Sequence, residues 1–286
     1  MRFERLGSHI YKIKSTQPIM EKRMPVWASA ICLNAHTFQF HSIKEAQRFL
    51  SPKAKYFDYL PTYYIRRGHL IFSGLRMIPA KKWHFQTHTL VGPLAFFTLL
   101  SAGEGIIFPD VHPVLPLTYS PIKEFKEPPS RAYLKLSEVF LRKKTWPQSF
   151  HKVLELGSSP GGWTWLLSQL GCSIECIDKG TMSSEILNNK NVTWHKTSAF
   201  SWVKKHSVVG FDWLFSDMAC SPEKLLDLIE WTVQQNPQIR IVATIKLNRH
   251  LGNWNQLIEQ FLRVPNAEII HLYHNKHELT FLRLKT

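Results

Sequence analysis

Val153-Leu-Glu-Leu-Gly-Ser-Ser-Pro-Gly-Gly-Trp-Thr-Trp165 decides the fold of this chain. The mostly apolar run Lys152–Gly157 predicts a buried strand. Gly157, Gly161 and Gly162 predict a tight turn in which the backbone can adopt positive φ and approach a ligand closely. Trp163, Leu166, Leu167 and Leu170 then recur at i, i+3, i+4 and i+7, which predicts a helix. Such a turn lies at the carboxyl end of the first strand, where open α/β sheets bind nucleotides. The glycine spacing is not G-x-G-x-x-G, so a dinucleotide is disfavoured. Asp178 ends the next predicted strand, Ser173–Asp178, about 20 residues beyond the turn, where an acid can hold a ribose diol.

The pattern continues outward from this segment. Ser130 precedes a helix with Ala132, Leu136, Val139 and Phe140 on one face. Short strands are predicted at Asn191–His195, Asp212–Met218 and Arg240–Leu247. Helices are expected around Leu225, Leu228, Ile229 and Thr232, and around Trp254, Leu257, Ile258 and Phe261. The chain closes with Ala267–Tyr273, a turn at Asn275-Lys276, and Glu278–Lys285. Strands alternating with helices imply an α/β fold with a mostly parallel sheet, here ending in an antiparallel hairpin.

The proline-rich stretch Pro113–Pro129 disfavours helix and central strand. It divides the chain into a basic accessory region, residues 1–120, a linker, 121–129, and a second domain, 130–286. The accessory region reads as a smaller mixed α/β domain. Val26–Asn34 is a strand candidate. Ser42-Ile-Lys-Glu45 is a capping box that starts a helix with Ile43, Ala46 and Leu50 on one face. Aromatic and basic residues alternate in Tyr56–Ile65 with Arg66-Arg67, and again in Lys81-Lys82-Trp83-His84. That interleaving suits stacking on unpaired bases beside phosphates, although aromatics at such spacings also build cores.

The 286 residues carry a formal net charge of +15, denser in the first part: residues 1–130 hold 17 Lys/Arg against 8 Asp/Glu, residues 131–286 hold 19 against 13. An excess of this size favours a polyanionic partner. The four cysteines, at 32, 172, 176 and 220, form no CxxC pair. They read as buried free thiols in a reducing compartment, with no metal expected. The most apolar run, Val91–Ala102, is too short to span a bilayer, and a cytoplasmic protein without membrane contact is expected.

The residues able to handle protons cluster in the second domain. Lys246 sits near the end of the apolar strand Arg240–Leu247. Asp217 ends the preceding strand, Glu278 begins the last one, and Lys135 lies at the border of the apolar face of the helix before the first strand. Two lysines and two acids around a cleft would serve a reaction in which a poor hydroxyl nucleophile must lose a proton. Two structural ion pairs are the alternative.

Taken together, Ser130-Arg-Ala-Tyr-Leu-Lys135-Leu, Leu156–Thr164, Asp178-Lys-Gly-Thr-Met182, Val192-Thr-Trp194, Ser216-Asp-Met218, Ile245-Lys-Leu247 and Leu272-Tyr-His-Asn-Lys-His-Glu-Leu279 resemble the FtsJ-type RNA 2′-O-ribose methyltransferases, most closely the RlmM family. The resemblance covers about residues 128–286. It implies a Rossmann-like fold, S-adenosyl-L-methionine as cofactor and methyl transfer to a ribose 2′-OH of RNA, with rRNA as the expected partner. It implies a tetrad of Lys135, Asp217, Lys246 and Glu278 with Lys246 as base. Cofactor contacts are implied at Gly157, Ser159, Pro160, Gly161, Gly162, Trp163, Asp178 and Asp217. The chain has Ala132 and Ser198 where the family pattern has a serine and an acid. The rival expectations are a catalytically weak RNA-binding or ribosome-assembly protein that retains the fold, and a 2′-O-methyltransferase acting on tRNA or a cap.

Overall fold

The computed structural model describes residues 2–6, 10–14, 25–78, 84–86, 93–112, 115–247 and 253–285. Lys81, Lys82, Trp83, Val91, Gly92 and Pro113 lie outside them. The chain divides into two compact units, Met1–Trp83 with Thr87–Pro121, and His84–Gln86 with Ile122–Thr286.

In the first unit, β1 (Arg2–Arg5) and β2 (Tyr11–Lys14) form an antiparallel ribbon. A two-residue strand, β3 (Ile31–Cys32), follows. Then come β4 (His36–Gln39), α1 (Ile43–Leu50), β5 (Tyr56–Tyr59), α2 (Ile65–Phe72), β6 (Leu94–Leu99), β7 (Glu104–Phe108) and β8 (Val111–His112). The main sheet has the order β4-β7-β6-β5, and β3 pairs with β8. Helix α1 starts as its capping residues dictate: the Ser42 hydroxyl accepts from Glu45 N, and the Glu45 carboxylate accepts from His41 N. The strand expected over Val26–Asn34 survives only as Ile31–Cys32. Ala28 N donates to Pro25 O in a turn, which takes that backbone out of any ladder. Much of the predicted aromatic platform is core: Tyr56, Phe57 and Tyr59 are buried in β5, with Phe57 and Tyr59 packed against Ile71 and Phe97, while Tyr63 and Tyr64 remain exposed.

The second unit is built from α3 (Tyr133–Lys143), β9 (Lys152–Leu156), α4 (Gly162–Ser168), β10 (Ser173–Asp178), α5 (Ser184–Leu187), β11 (Val192–Lys196), α6 (Ala199–Val203), β12 (Trp213–Ser216), α7 (Pro222–Gln235), β13 (Arg240–Lys246), α8 (Trp254–Arg263), β14 (Glu268–Ile270) and β15 (Glu278–Arg283). Its sheet has the order β11-β10-β9-β12-β13-β15-β14. The first five strands run parallel, and β15 is antiparallel to both β13 and β14. This is an α/β, Rossmann-like, mostly parallel sheet with an antiparallel C-terminal element, as the alternation of strands and helices predicts. The chain moves outward from β9 through β10 to β11, then returns to the other side of β9 as β12. Direction therefore reverses between β9 and β12, and a crevice opens there at the carboxyl ends of the strands.

Local chemistry sets the elements. The apolar run of β13 is buried throughout because partners flank it on both edges. Helix α7 begins where Ser221 caps Lys224 N and Pro222 takes the first position, which needs no N–H donor. Phe85, from the short segment belonging to this unit, packs edge-on against Phe140 and Trp146 at 5.2 and 5.3 Å. The helices α5 and α6 are too short to show periodicity and were not expected. Leu170 falls in the turn after α4 rather than on its buried face.

Candidate active site

Four charged side chains meet at the carboxyl end of this sheet. Lys246 and Glu278 are direct partners in the β13–β15 ladder, which brings their side chains side by side. Asp217 follows β12, the other neighbour of β13. Lys135 arrives from the first turn of α3. Lys135 Nζ donates to Asp217 Oδ2 at 2.9 Å and to Glu278 Oε2 at 2.9 Å. Lys246 Nζ donates to Asp217 Oδ1 at 2.6 Å and to Glu278 Oε1 at 2.8 Å. The result is a closed ring of alternating charge in which each carboxylate bridges both ammoniums.

Electrostatics follow from that ring. Burial pushes the Asp217 carboxyl up, but Lys135 and Lys246 outweigh it and hold the group below the usual carboxylate range. Burial pulls the Lys246 ammonium down, yet Asp217 and Glu278 prevail and its pKa is raised above the ordinary value. Two carboxylates face this lysine, and the pull of Glu278 added to that of Asp217 outweighs the burial that would lower its pKa. The lysines differ in access. The Lys246 side chain is 24% exposed and that of Lys135 11%, so Lys246 is the more open to an incoming group.

The crevice beside the ring is framed by the β9–α4 turn. Gly157 has φ +78°, and a Cβ there would lie 2.7–2.8 Å from side-chain and backbone atoms of Met218. Only glycine fits, because Met218, in the segment that follows β12 and Asp217, passes directly over it. Asp178 braces the turn from the side: Oδ2 accepts from Ser159 N at 3.0 Å and Oδ1 from Gly180 N at 2.7 Å. Each oxygen keeps a further lone pair for an incoming hydroxyl. Ser159 Oγ donates to Thr181 O. Pro160 precedes Gly161, the residue before α4, and Gly162 starts that helix against Ser130 Oγ. Trp163 is committed elsewhere. Its indole donates to Ala132 O at 2.8 Å and its ring meets Phe215 edge-on, so it packs the core and joins α4 to the start of α3.

Two acids escaped the sequence reading. Glu155, in the middle of β9, is 2% exposed, and its pKa is pushed up to about 8 chiefly by burial, with Asp217 and Asp178 adding to it. An acid inside Val-Leu-Glu-Leu was a visible signal for such a group. Glu138, three residues after Lys135, is buried at the base of the loop leading to Glu278; nothing in a helical pattern distinguishes it from a surface acid. Of the cysteines, Cys172 and Cys176 are buried with thiols pushed up by desolvation, whereas Cys32 and Cys220 are only partly buried. Among the described residues, no cluster of His, Cys, Asp or Glu is arranged to hold a metal ion, and no helix is long and apolar enough to cross a membrane.

Residues 128–267 match the family model of the FtsJ-like methyltransferases. Proteins named ribosomal RNA large subunit methyltransferase M are similar to this chain. The one from Pseudomonas entomophila strain L48 is 31% identical over 192 residues, 62% of this chain and 53% of its own. That of Saccharophagus degradans is 31% identical over 172 residues, covering 54% and 48%. That of Hahella chejuensis is 26% identical over 211 residues, covering 67% and 53%. The chain thus spans about half the length of the curated relatives it matches.

Proposed function

We propose that this chain, whose residues 128–267 belong to the FtsJ-like methyltransferases, transfers the methyl group of S-adenosyl-L-methionine to a ribose 2′-hydroxyl of RNA, with rRNA as the substrate class. The observation that carries this reading is the closed ring of Lys135, Asp217, Lys246 and Glu278 at the mouth of the crevice.

The residues present suit the cofactor. A turn that admits no side chain at Gly157 leaves backbone open to a ligand, and the Asp178 carboxylate retains lone pairs for a ribose diol. Gly157, Ser159, Pro160, Gly161, Gly162 and Asp178 would hold the cofactor, Asp217 would border it, and Trp163 would support the turn from the core. Bound there, the cofactor supplies an electrophilic methyl on a sulfonium.

The chain's own residues position the hydroxyl and take its proton. Lys135 and Lys246 provide donors that orient the ribose oxygens, and Asp217 with Glu278 holds both ammoniums in place. As the hydroxyl oxygen takes the methyl, its proton passes to Lys246 Nζ. Lys246 can accept it only in its neutral form, a minority species beside two carboxylates, so deprotonation of that ammonium precedes each turnover. The first unit, with exposed Tyr63, Tyr64 and Arg66 and much of the chain's excess positive charge, guides the RNA. Incubating the full chain with labelled cofactor and rRNA, then mapping 2′-O-methylated riboses, tests the proposal. Tight RNA binding without any transferred label would favour the assembly-protein alternative, and transfer only to tRNA or capped RNA would reassign the substrate.

A further inference from the structure

The loop between β14 and β15 is held far more firmly than a surface connection requires. Glu138, buried on α3, accepts from Tyr273 N at 2.9 Å and from His274 N at 3.1 Å. Its charge is balanced one turn along the same helix by Arg142, at 2.6 Å. Asn275 is buried and donates to Thr280 Oγ1 at 3.1 Å, which ties the middle of the loop to β15. His277 O accepts from Leu247 N at 2.9 Å, which ties its end to the residue after Lys246. Leu272 is fully buried. A buried charged pair is costly to desolvate and becomes favourable only when its remaining valences are filled. Here two backbone N–H groups of one loop help to fill them.

What this bracing leaves outside is Tyr273, 45% exposed, with Lys276 and His277 also exposed. The loop is therefore an aromatic ring and a cation on a rigid backbone, one residue from Glu278 and hydrogen-bonded beside Lys246. An exposed tyrosine costs apolar exposure in the free protein, and stacking on a base recovers it while tolerating any sequence.

We propose that Tyr273–His277 is a preorganised RNA-contact loop: Tyr273 stacks on a base of the substrate strand, Lys276 lies along its phosphates, and Glu138 is the positioning residue that fixes the loop. This rests on the proposed transfer to RNA and adds the part of the site that grips the nucleotide rather than the cofactor.

The test uses the full chain and in vitro transcribed large-subunit rRNA as probe, with affinity read by titration and label transfer read separately. Tyr273→Leu should bind this RNA about ten-fold more weakly, the scale of losing one stacked base, while Tyr273→Phe should stay within about two-fold of wild type. Glu138→Gln keeps the shape and removes the charge. It should weaken RNA binding by a similar factor with cofactor affinity intact, and Glu138→Gln/Tyr273→Leu should bind no more weakly than Tyr273→Leu alone. Wild-type affinity in Tyr273→Leu would overturn the proposal, and equal losses in the Leu and Phe variants would overturn stacking. Additive losses in the double variant would remove Glu138 from the positioning role. If the Tyr273 series separates as expected but the wild-type protein transfers no label to any RNA, the methyl-transfer reading fails and the contact loop stands.

Discussion

Methyl transfer should accelerate about ten-fold per pH unit across the neutral range, with no plateau near pH 8. The reason is the ring. Lys246 Nζ lies 2.6 Å from one carboxylate and 2.8 Å from another, and its pKa stands above the ordinary lysine value of 10.5. Near neutral pH its neutral form is then a small minority that grows about ten-fold with each pH unit. If neutral Lys246 is the base, the rate of the chemical step rises in proportion. The assay is single-turnover transfer of labelled methyl to rRNA by rapid quench, with cofactor saturating, so that product release does not mask the step. Lys246→Arg keeps the charge but cannot give up a proton at any workable pH, so it should lose roughly 10²–10⁴-fold and its profile should flatten. Glu278→Gln removes one of the two carboxylates that raise the lysine, so its profile should bend at lower pH than that of wild type. A wild-type plateau between pH 7 and 8, or near wild-type transfer by Lys246→Arg, would refute Lys246 as the base and leave it a fixed charge.

Asp178→Ala should weaken cofactor binding, since a charge-assisted hydrogen bond contributes about 1.5–3 kcal/mol and the same carboxylate holds Ser159 N and Gly180 N; unchanged affinity by calorimetry would remove it from the cofactor site. Glu155 has a folded pKa of about 8 against an ordinary 4.5. Its contribution to stability is therefore fully present below pH 4.5 and lost as pH rises to about 8, because the unfolded chain gives up the proton first. The unfolding free energy of the free protein, measured by denaturant titration, should fall across this window by an amount on the order of a few kcal/mol, and Glu155→Gln should remove that slope. Replacing the exposed Arg66 with alanine should shallow the dependence of log RNA affinity on log salt by about one; an unchanged slope would take α2 out of the RNA contact.

The sheet was legible in the sequence because its signals are local. A glycine turn after β9 marks a close approach of the backbone, and an apolar run such as Ile241–Ile245 has no polar face to leave in water and so calls for cover on both faces. Gly157, Asp178, Lys246 and Glu278 could be singled out for the same reason: each is a polar or glycine residue where a strand begins or ends. Other features depend on partners distant in sequence. That Glu278 stands directly beside Lys246, adding to the pull of Asp217, is set by the β13–β15 register, so the direction of the lysine's pKa could be read only from the assembled sheet. Glu138 looks like any helical acid until the loop at residues 273–274, some 135 positions later, closes on it. In the first unit, tyrosines of the same type divide into the buried Tyr56 and Tyr59 of β5 and the exposed Tyr63 and Tyr64 that follow. Composition fixes how much aromatic surface the chain carries; only the pairing of β5 with β6 determines which of it goes into the core and which stays in water.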